Sequence, residues 1–151
     1  MSTDRVLDAP FVPRRGRLMA TGMAAAALLI FGLVALLIPG PSSGGSWEGG
    51  DRFMMLGLGV LMAALLSRWA LIRAVPRSEG LSIRNLMITR TIPWSEIVDV
   101  TFPEGDPWVS LELQDTDVVA VMAVQRADGD LGRSEADRLG RLVDARRAAG
   151  A

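Results

Sequence analysis

The sequence predicts an α+β protein in which an N-terminal two-helix transmembrane hairpin precedes a small bent antiparallel sheet, or partial barrel, closed by a C-terminal α-helix. Three observations predict this fold class. Two long apolar runs lie in the first half of the 151 residues. From Gly80 the hydrophobic period changes from helical to two residues, which is typical of strands. Near the C-terminus a helical period returns, with one apolar face.

The two apolar runs are long enough to cross a bilayer. The first, residues 18–38, has no charged side chain, and the second, residues 53–75, is apolar except for Arg68 and Arg73. About 20 helical residues span the roughly 30 Å hydrocarbon core of a membrane. The predicted organisation is an N-terminal tail at residues 1–17, a hairpin at residues 18–75 whose loop covers residues 39–52, and a domain at residues 76–151.

The distribution of arginine predicts the orientation of the hairpin. Arginines cluster before the first run and after the second, whereas the loop holds one, Arg52, balanced by Glu48 and Asp51. Cytoplasmic flanks of membrane helices attract basic residues, so both termini and the domain are expected in the cytoplasm of a multi-pass cell-membrane protein. A cleaved secretory signal is the alternative. The first run is longer than the usual signal core of about 7–15 residues, and the second run would still anchor the product.

Small residues predict how the two helices pack. Gly59, Ala63 and Ser67 recur every four residues and share one face of the second helix. A similar face on the first helix contains Gly22, Ala25, Ala26 and Gly32. Small faces let helix backbones approach closely in lipid, within one chain or between chains. The alternative is the ordinary frequency of Gly and Ala in membrane helices.

Composition limits the chemistry of the domain. The chain contains no Cys and no His, which removes thiolate and imidazole metal ligands, Cys nucleophiles and His bases. Residues 80–151 carry a net charge of −4, which argues against nucleic acid as a partner. Several carboxylates lie in close pairs, but so small a domain offers no substrate cleft between them. We therefore expect no enzyme, no metal and no cofactor.

The predicted elements of the domain follow from alternation and turn residues. Alternating or continuous apolar patterns predict five strands, at residues 81–84, 86–92, 98–102, 109–114 and 118–124. Asn85 is expected to supply the first tight turn. The closing helix is expected to begin at a capping box of Ser134 and Asp137. Its apolar face, expected to cover the sheet, consists of Ala136, Leu139, Leu142 and Val143.

The order of these segments resembles a known family. The likeness rests on EGLSIRN at residues 79–85 and IPWSEIVDV at residues 92–100, followed by a Leu-rich strand, an apolar strand and a closing helix. This layout resembles the bacterial PH-like domain. More narrowly, it is similar to small actinobacterial membrane proteins of the low-molecular-weight protein antigen type, which carry a two-span hairpin before such a domain. The resemblance implies a PH-like fold that binds lipid or protein and has no enzymatic activity.

Five side chains are the candidates for binding or anchoring roles. PH domains that bind phosphoinositides use basic residues on their first strands, and the resemblance places Arg84 and Arg90 there, with Arg77 just upstream. Converging guanidinium groups suit an anionic headgroup, whereas the alternative is solvated arginines paired with acids. Trp108, expected in a loop, is a candidate partner contact. Trp94 is either a recognition aromatic or a structural anchor packed under the sheet, and we favour the anchor.

The sequence thus predicts a membrane-anchored, non-catalytic module that binds an unidentified membrane or cytosolic protein, or self-associates as a homo-oligomer. The apolar strand Val118–Val124 and the concave edge of the sheet are the expected partner surfaces. Two alternatives stay open. One is an anionic-lipid sensor acting through Arg77, Arg84 and Arg90, and the other is an accessory subunit of an envelope or transport complex bound through the hairpin.

Overall fold

The computed structural model describes residues 7–150. The chain divides into two compact units. Leu18–Ala70 form one unit, which we call the hairpin, and the described residues of Met1–Arg17 and Leu71–Ala151 form the other, which we call the domain. The predicted α+β fold class is confirmed, because two apolar helices precede two antiparallel three-stranded sheets and a C-terminal helix.

Two long helices, α1 (Arg14–Leu37) and α2 (Gly49–Ala70), contain the apolar runs. Both are long and apolar enough to cross a membrane. Most of their Leu, Met and Ile side chains are exposed. Exposure of so many apolar side chains is unfavourable in water but not in lipid. The guanidinium of Arg52, in the first turn of α2, donates hydrogen bonds to the carbonyls of Ala35 (2.6 Å), Leu36 (3.3 Å) and Ile38 (2.8 Å). These bonds satisfy carbonyls that the end of α1 would otherwise leave without partners.

The two helices pack through Gly59 and Ala63 of α2, which are both buried. A Cβ atom at Gly59 would lie 2.7 Å from Cβ of Phe31, so the backbone approaches α1 closely there. Ser67 is half-buried, and its hydroxyl donates to the carbonyl of Ala63 at 2.7 Å within α2.

Within one chain, the face of α1 expected from its small residues does not pack against α2. Gly22, Ala25 and Ala26 are exposed, and nothing lies within 4 Å of a Cβ built at Gly22 or Gly32. The buried residues of α1 are instead Ala20, Ala24 and Ala35. They follow the spacing of one helix face, whereas the glycines fall on other faces.

The domain consists of two sheets and one helix. The first sheet contains β1 (Arg73–Pro76), β2 (Gly80–Arg84) and β3 (Thr89–Pro93), in that order. The second contains β4 (Ile97–Thr101), β5 (Trp108–Leu113) and β6 (Val118–Gln125), followed by α3 (Asp130–Ala148). No strand ladder joins the sheets within the described residues, so the barrel is partial. The core combines side chains of both sheets and α3, among them Leu81, Ile83, Val109, Leu111, Val121, Leu139 and Leu142.

Helix α2 and strand β3 have bounds that differ from those predicted. Helix α2 ends at Ala70 rather than at residue 75, because burial alternates from Leu71 to Ala74 as in a strand, and β1 forms there. The returning strand begins at Thr89, and residues 86–88 belong to the turn that Asn85 opens. The apolar character of residues 86–88 favours a strand. These residues nevertheless lie beyond the last residue pair of the β2–β3 ladder, Arg84 and Thr89.

The expected capping box at Ser134 is wrong, since α3 begins at Asp130. Ser134 lies inside the helix and donates to the carbonyl of Leu131 at 2.9 Å. The chain turns at Gly129, which has a φ of 66° that suits glycine. Gly132 then packs against β6, because a Cβ there would lie 2.1 Å from the carbonyl oxygen of Gln125.

Candidate functional site

The segment before α1, expected to be a tail, is part of the domain. Phe11 is fully buried in the core and forms an isolated antiparallel bridge with Ala74 of β1. The two backbone hydrogen bonds of this bridge measure 2.8 Å and 3.0 Å. Residues from before the hairpin therefore complete a sheet edge that follows the hairpin in sequence.

Arg138 of α3 holds the same segment. Its guanidinium donates to the backbone carbonyls of Leu7 (3.0 Å) and Ala9 (2.9 Å), and it lies 3.7 Å from the centre of the Phe11 ring. Glu135 accepts two further hydrogen bonds from it, at 3.1 Å and 2.6 Å. Charge-assisted bonds of this kind are stronger than neutral ones. Arg138 is only 7% exposed, so its charge is compensated inside the fold.

Asp128, at the end of the turn that follows β6, caps the first turn of α1. Its two carboxylate oxygens accept hydrogen bonds from the backbone N–H groups of Arg14 (3.1 Å) and Arg15 (2.8 Å). The first N–H groups of a helix lack partners within the helix, and a carboxylate there also compensates the helix dipole. The side chain of Arg15 adds a bond to the carbonyl of Ala127 at 3.1 Å.

The segments that precede and follow the hairpin in sequence are thus both held within the domain. Asp128 binds the start of α1, and Ile72, two residues after the end of α2, is 1% exposed in the core. No local sequence pattern predicts these contacts. The one sequence signal is Phe11, a large aromatic residue in a segment otherwise rich in charge and proline.

The two tryptophan candidates occupy different environments. Trp94 is 1% exposed, and its indole nitrogen donates to the carbonyl of Arg77 at 2.9 Å. This combination of a buried ring and a satisfied N–H fits an anchor between β1 and the turn before β4. Trp108 does not lie in a loop. It is the first residue of β5, opposite Gln125, and is half-buried.

The three candidate arginines do not converge on one surface. Arg90 pairs with Ile83 in the β2–β3 register, so it lies on the face of the sheet opposite to that of the neighbouring Arg84. Arg90 forms an ion pair with Asp117 at 3.0 Å. Arg77 is exposed just beyond the end of β1, at the far end from Arg73. A single pocket for a headgroup is therefore not assembled from these three side chains.

A different arginine pair is formed by the sheet register. Arg73 of β1 lies directly opposite Arg84 of β2. Side chains at directly opposed positions have Cβ atoms about 4.5–5.5 Å apart, and like charges there repel. Neither guanidinium has an acidic partner among the residues that the structure describes. Arg73 is not among the predicted binding residues, because it lies within the predicted second span at residues 53–75.

The two sheets have four edge strands in the described part of the chain, β1, β3, β4 and β6. Strand β1 forms a bridge to Phe11 through Ala74. The backbone of β6 is bonded at Ala120 and Met122 by the side-chain amide of Asn85. The edge of β4 is contacted by α3, whose Arg147 donates to the carbonyl of Val98 at 2.8 Å. Among residues 7–150, no strand lies beside the outer edge of β3.

The β3 edge presents backbone groups in a defined order. Bonded and non-bonded residue pairs alternate along an antiparallel ladder. The N–H of Asn85 bonds to the carbonyl of Ile88 at 2.9 Å, so the alternation makes the Ser82–Thr91 pair a non-bonded one. The N–H of Thr91 therefore points away from β2, toward the open edge.

The strand Val118–Val124, expected as a partner surface, is mostly committed to the core. It lies within β6, and Val121, Ala123 and Val124 are at most 3% exposed. A shallow groove of about 380 Å³ lies between the N-terminal segment and α3, lined in part by Leu7, Leu142 and Arg146. No group of three carboxylates that could hold a metal ion occurs in residues 7–150.

Comparison with known proteins identifies relatives of the chain. Residues 69–145 match the family model described as a bacterial PH domain. A protein of Mycobacterium bovis, named as uncharacterized, is 36% identical over 122 residues that cover 80% of this chain and 79% of the relative. Uncharacterized proteins of two Mycobacterium tuberculosis strains match with the same identity and coverage. No solved structure matches the chain with statistical significance.

Proposed function

The chain belongs to the bacterial PH domain family, and from this premise we propose that it is a non-catalytic interaction module anchored in the cell membrane by its hairpin. The domain holds a protein partner, or a second copy of this chain, at the cytoplasmic surface. The partner adds a strand to the open edge of β3. The absence of Cys and His from the whole sequence supports a binding role over the commonest nucleophilic and acid–base chemistries.

The ordered connections at both ends of the hairpin support the anchoring role. Asp128 binds the first turn of α1, and Ile72 enters the core directly after α2. Two crossings return the chain to the side on which it began. A domain assembled from residues before and after the hairpin must therefore lie on one side of the membrane, and the arginines that flank the hairpin favour the cytoplasmic side.

The open β3 edge is the observation that carries the binding role. Peptides add to exposed sheet edges through backbone hydrogen bonds. The strand is short, contains Arg90 and ends at Pro93, which are the features by which proteins prevent indiscriminate pairing of edges. The outward N–H of Thr91 remains available to a specific partner. Anchoring raises the effective concentration for other membrane proteins, so a modest affinity is sufficient.

Site-specific photo-crosslinking in intact membranes tests this proposal. A photoreactive residue replaces Thr91 on β3 in the full chain, and the control position is Glu112, an exposed residue on the central strand β5. We expect a discrete protein adduct, or a dimer of this chain, from position 91 and not from position 112. The substitution Thr91→Pro removes the outward N–H without removing a ladder bond, so it should abolish the adduct while the thermal midpoint stays close to that of the parent.

Equal adducts from positions 91 and 112, or an adduct that survives Thr91→Pro, would contradict edge recognition. Adducts obtained only from photoreactive residues on the lipid-facing surface of the hairpin would favour the accessory-subunit role instead. Adducts to lipid alone would favour the lipid-sensor role.

A further inference from the structure

An exposed apolar turn joins β2 to β3. Met87 is 73% exposed and Ile88 is 67% exposed, which makes them the two most exposed large apolar side chains among the described residues of the domain. Exposed apolar residues that lie together usually mark a contact surface. The proposed partner edge does not account for them, because they lie beyond the end of β3.

The turn is held in place by Asn85. Its backbone N–H closes the turn on the carbonyl of Ile88 at 2.9 Å. Its side-chain amide donates to the carbonyl of Ala120 at 2.7 Å and accepts from the N–H of Met122 at 3.2 Å. The side chain therefore pairs with β6 as another strand would. The exposed apolar residues extend from an anchored turn.

The sheet register places this turn beside the point where the chain leaves α2. Strands β1 and β2 are antiparallel, with Arg73 opposite Arg84. Arg84 is followed by Asn85, and Arg73 is preceded by Leu71 and Ile72, so both segments leave the β1–β2 ladder at the same end. Leu71 directly follows the last residue of α2 and is 46% exposed. The turn and the residue with which the chain enters the domain after α2 are thus at the same end of the β1–β2 ladder.

The charges around the turn favour an anionic surface. Arg73 and Arg84 lie side by side without an acidic partner in the described part of the chain. Two acids of the β5–β6 turn, Asp115 and Asp117, have contacts of their own. Asp117 pairs with Arg90, and Asp115 accepts the backbone N–H of Asp117 at 3.1 Å. Cytoplasmic leaflets carry anionic lipids, which attract arginines close to the surface.

We infer that the Asn85–Ile88 turn is a second membrane contact of this chain. Met87 and Ile88 enter the interfacial layer of the bilayer that holds α1 and α2, and Arg73 and Arg84 bind the phosphates of anionic lipids. Apolar side chains bordered by basic ones bind to interfaces in this way. The inference rests on the proposed function, because it requires the hairpin to be inserted.

Fluorescent labelling of the full chain tests the contact. The sequence has no Cys, so Met87→Cys carries a single environment-sensitive fluorophore. Glu104→Cys, in the exposed β4–β5 loop, serves as the water control, and Leu29→Cys, 64% exposed on α1, serves as the lipid control. The protein is reconstituted in vesicles of phosphatidylcholine with or without phosphatidylglycerol. Nitroxide lipids and aqueous iodide serve as quenchers.

We expect the label at position 87 to emit at shorter wavelength than that at position 104, to be quenched by nitroxide lipids and to be several-fold less accessible to iodide. Phosphatidylglycerol should strengthen this protection. The double substitution Arg73→Gln and Arg84→Gln should remove the added effect of phosphatidylglycerol.

Iodide quenching at position 87 equal to that at position 104, with the label at position 29 still in lipid, would overturn the turn contact and leave the anchor intact. A label at position 29 that lipid nitroxides do not quench would overturn the proposed function itself. Protection of position 87 in native membranes but not in pure lipid would overturn the inference in favour of a protein that covers the turn.

Discussion

Arg138 is 7% exposed, and its guanidinium contacts a carboxylate, two backbone carbonyls and the face of Phe11. The substitution Arg138→Ala leaves these carbonyls and Glu135 without their donor. Breaking a buried pair by removing one partner costs about 3–5 kcal/mol. Glu135 is 28% exposed and regains some hydration, so we expect a loss of about 3 kcal/mol in the free energy of unfolding. Chemical denaturation in detergent measures it.

The control for Arg138 is Arg141→Ala on the same helix. Arg141 is exposed, and substitutions at such positions usually change stability by less than about 0.5 kcal/mol. Equal losses from the two variants would contradict the view that Arg138 fastens the N-terminal segment to the domain.

Asp128 caps α1 through both of its carboxylate oxygens. Replacing a capping residue by Ala costs about 0.5–2 kcal/mol. Because two N–H groups lose their partner, we expect Asp128→Ala to lower the free energy of unfolding toward the upper end of that range, measured as above. Asp130→Ala is the matched control, since among the described residues Asp130 pairs only with Arg133, at 3.7 Å, and both side chains are highly exposed. A variant at position 128 as stable as that control would rule out the cap.

The sequence predicts whether a single side chain is buried better than it predicts which side chains lie close together. Trp94 was expected to be an anchor because a ring after a proline at a sheet corner favours burial, and the structure buries it. Whether arginines converge depends on strand register, which composition does not reveal. A shift of one residue decides that Arg84 and Arg90 lie on opposite faces of the sheet.

At the scale of elements, the packing of α1 against α2 depends on one glycine of α2. A Cβ at Gly59 would lie 2.7 Å from Cβ of Phe31, whereas nothing lies within 4 Å of one at Gly57. We therefore expect Gly59→Leu to lower the thermal midpoint of the protein in detergent by several degrees and Gly57→Leu to change it little. An unchanged midpoint for Gly59→Leu, or equal shifts for both variants, would contradict close packing at this position.

Local periodicity predicted most of the elements and misplaced some of their ends. Both helices of the hairpin and strands β2, β4, β5 and β6 lie where the hydrophobic pattern puts them. Strand β1 was missed because its four residues continue the apolar run of α2, and only the burial of alternate residues reveals a strand. The predicted start of α3 differs from the observed one because the capping-box pattern, a serine followed by an acid three residues later, also occurs inside helices. Here Ser134 and Asp137 both lie inside α3.

At the scale of the whole molecule, the contacts that unite the domain join residues far apart in sequence. The Phe11–Ala74 bridge connects a residue that precedes the hairpin in sequence with one that follows it. The cap of Asp128 on Arg14 and Arg15 does the same. A pattern read over ten or twenty residues contains no information about such pairs. For this reason the segment before α1 was expected to be a tail, although it completes the sheet.

The proposed function requires that the hairpin crosses the membrane twice and leaves the domain, with both hairpin ends, on the cytoplasmic side. Single cysteines report this without interference, because the chain has none. The measurement is labelling of Ser43→Cys, in the hairpin loop, and Glu104→Cys, in the domain, by an impermeant maleimide added to intact cells and to inverted membrane vesicles.

We expect position 43 to be labelled only in intact cells and position 104 only in inverted vesicles. Labelling of both positions from the same side of the membrane, or release of the protein by a carbonate wash without detergent, would contradict the account.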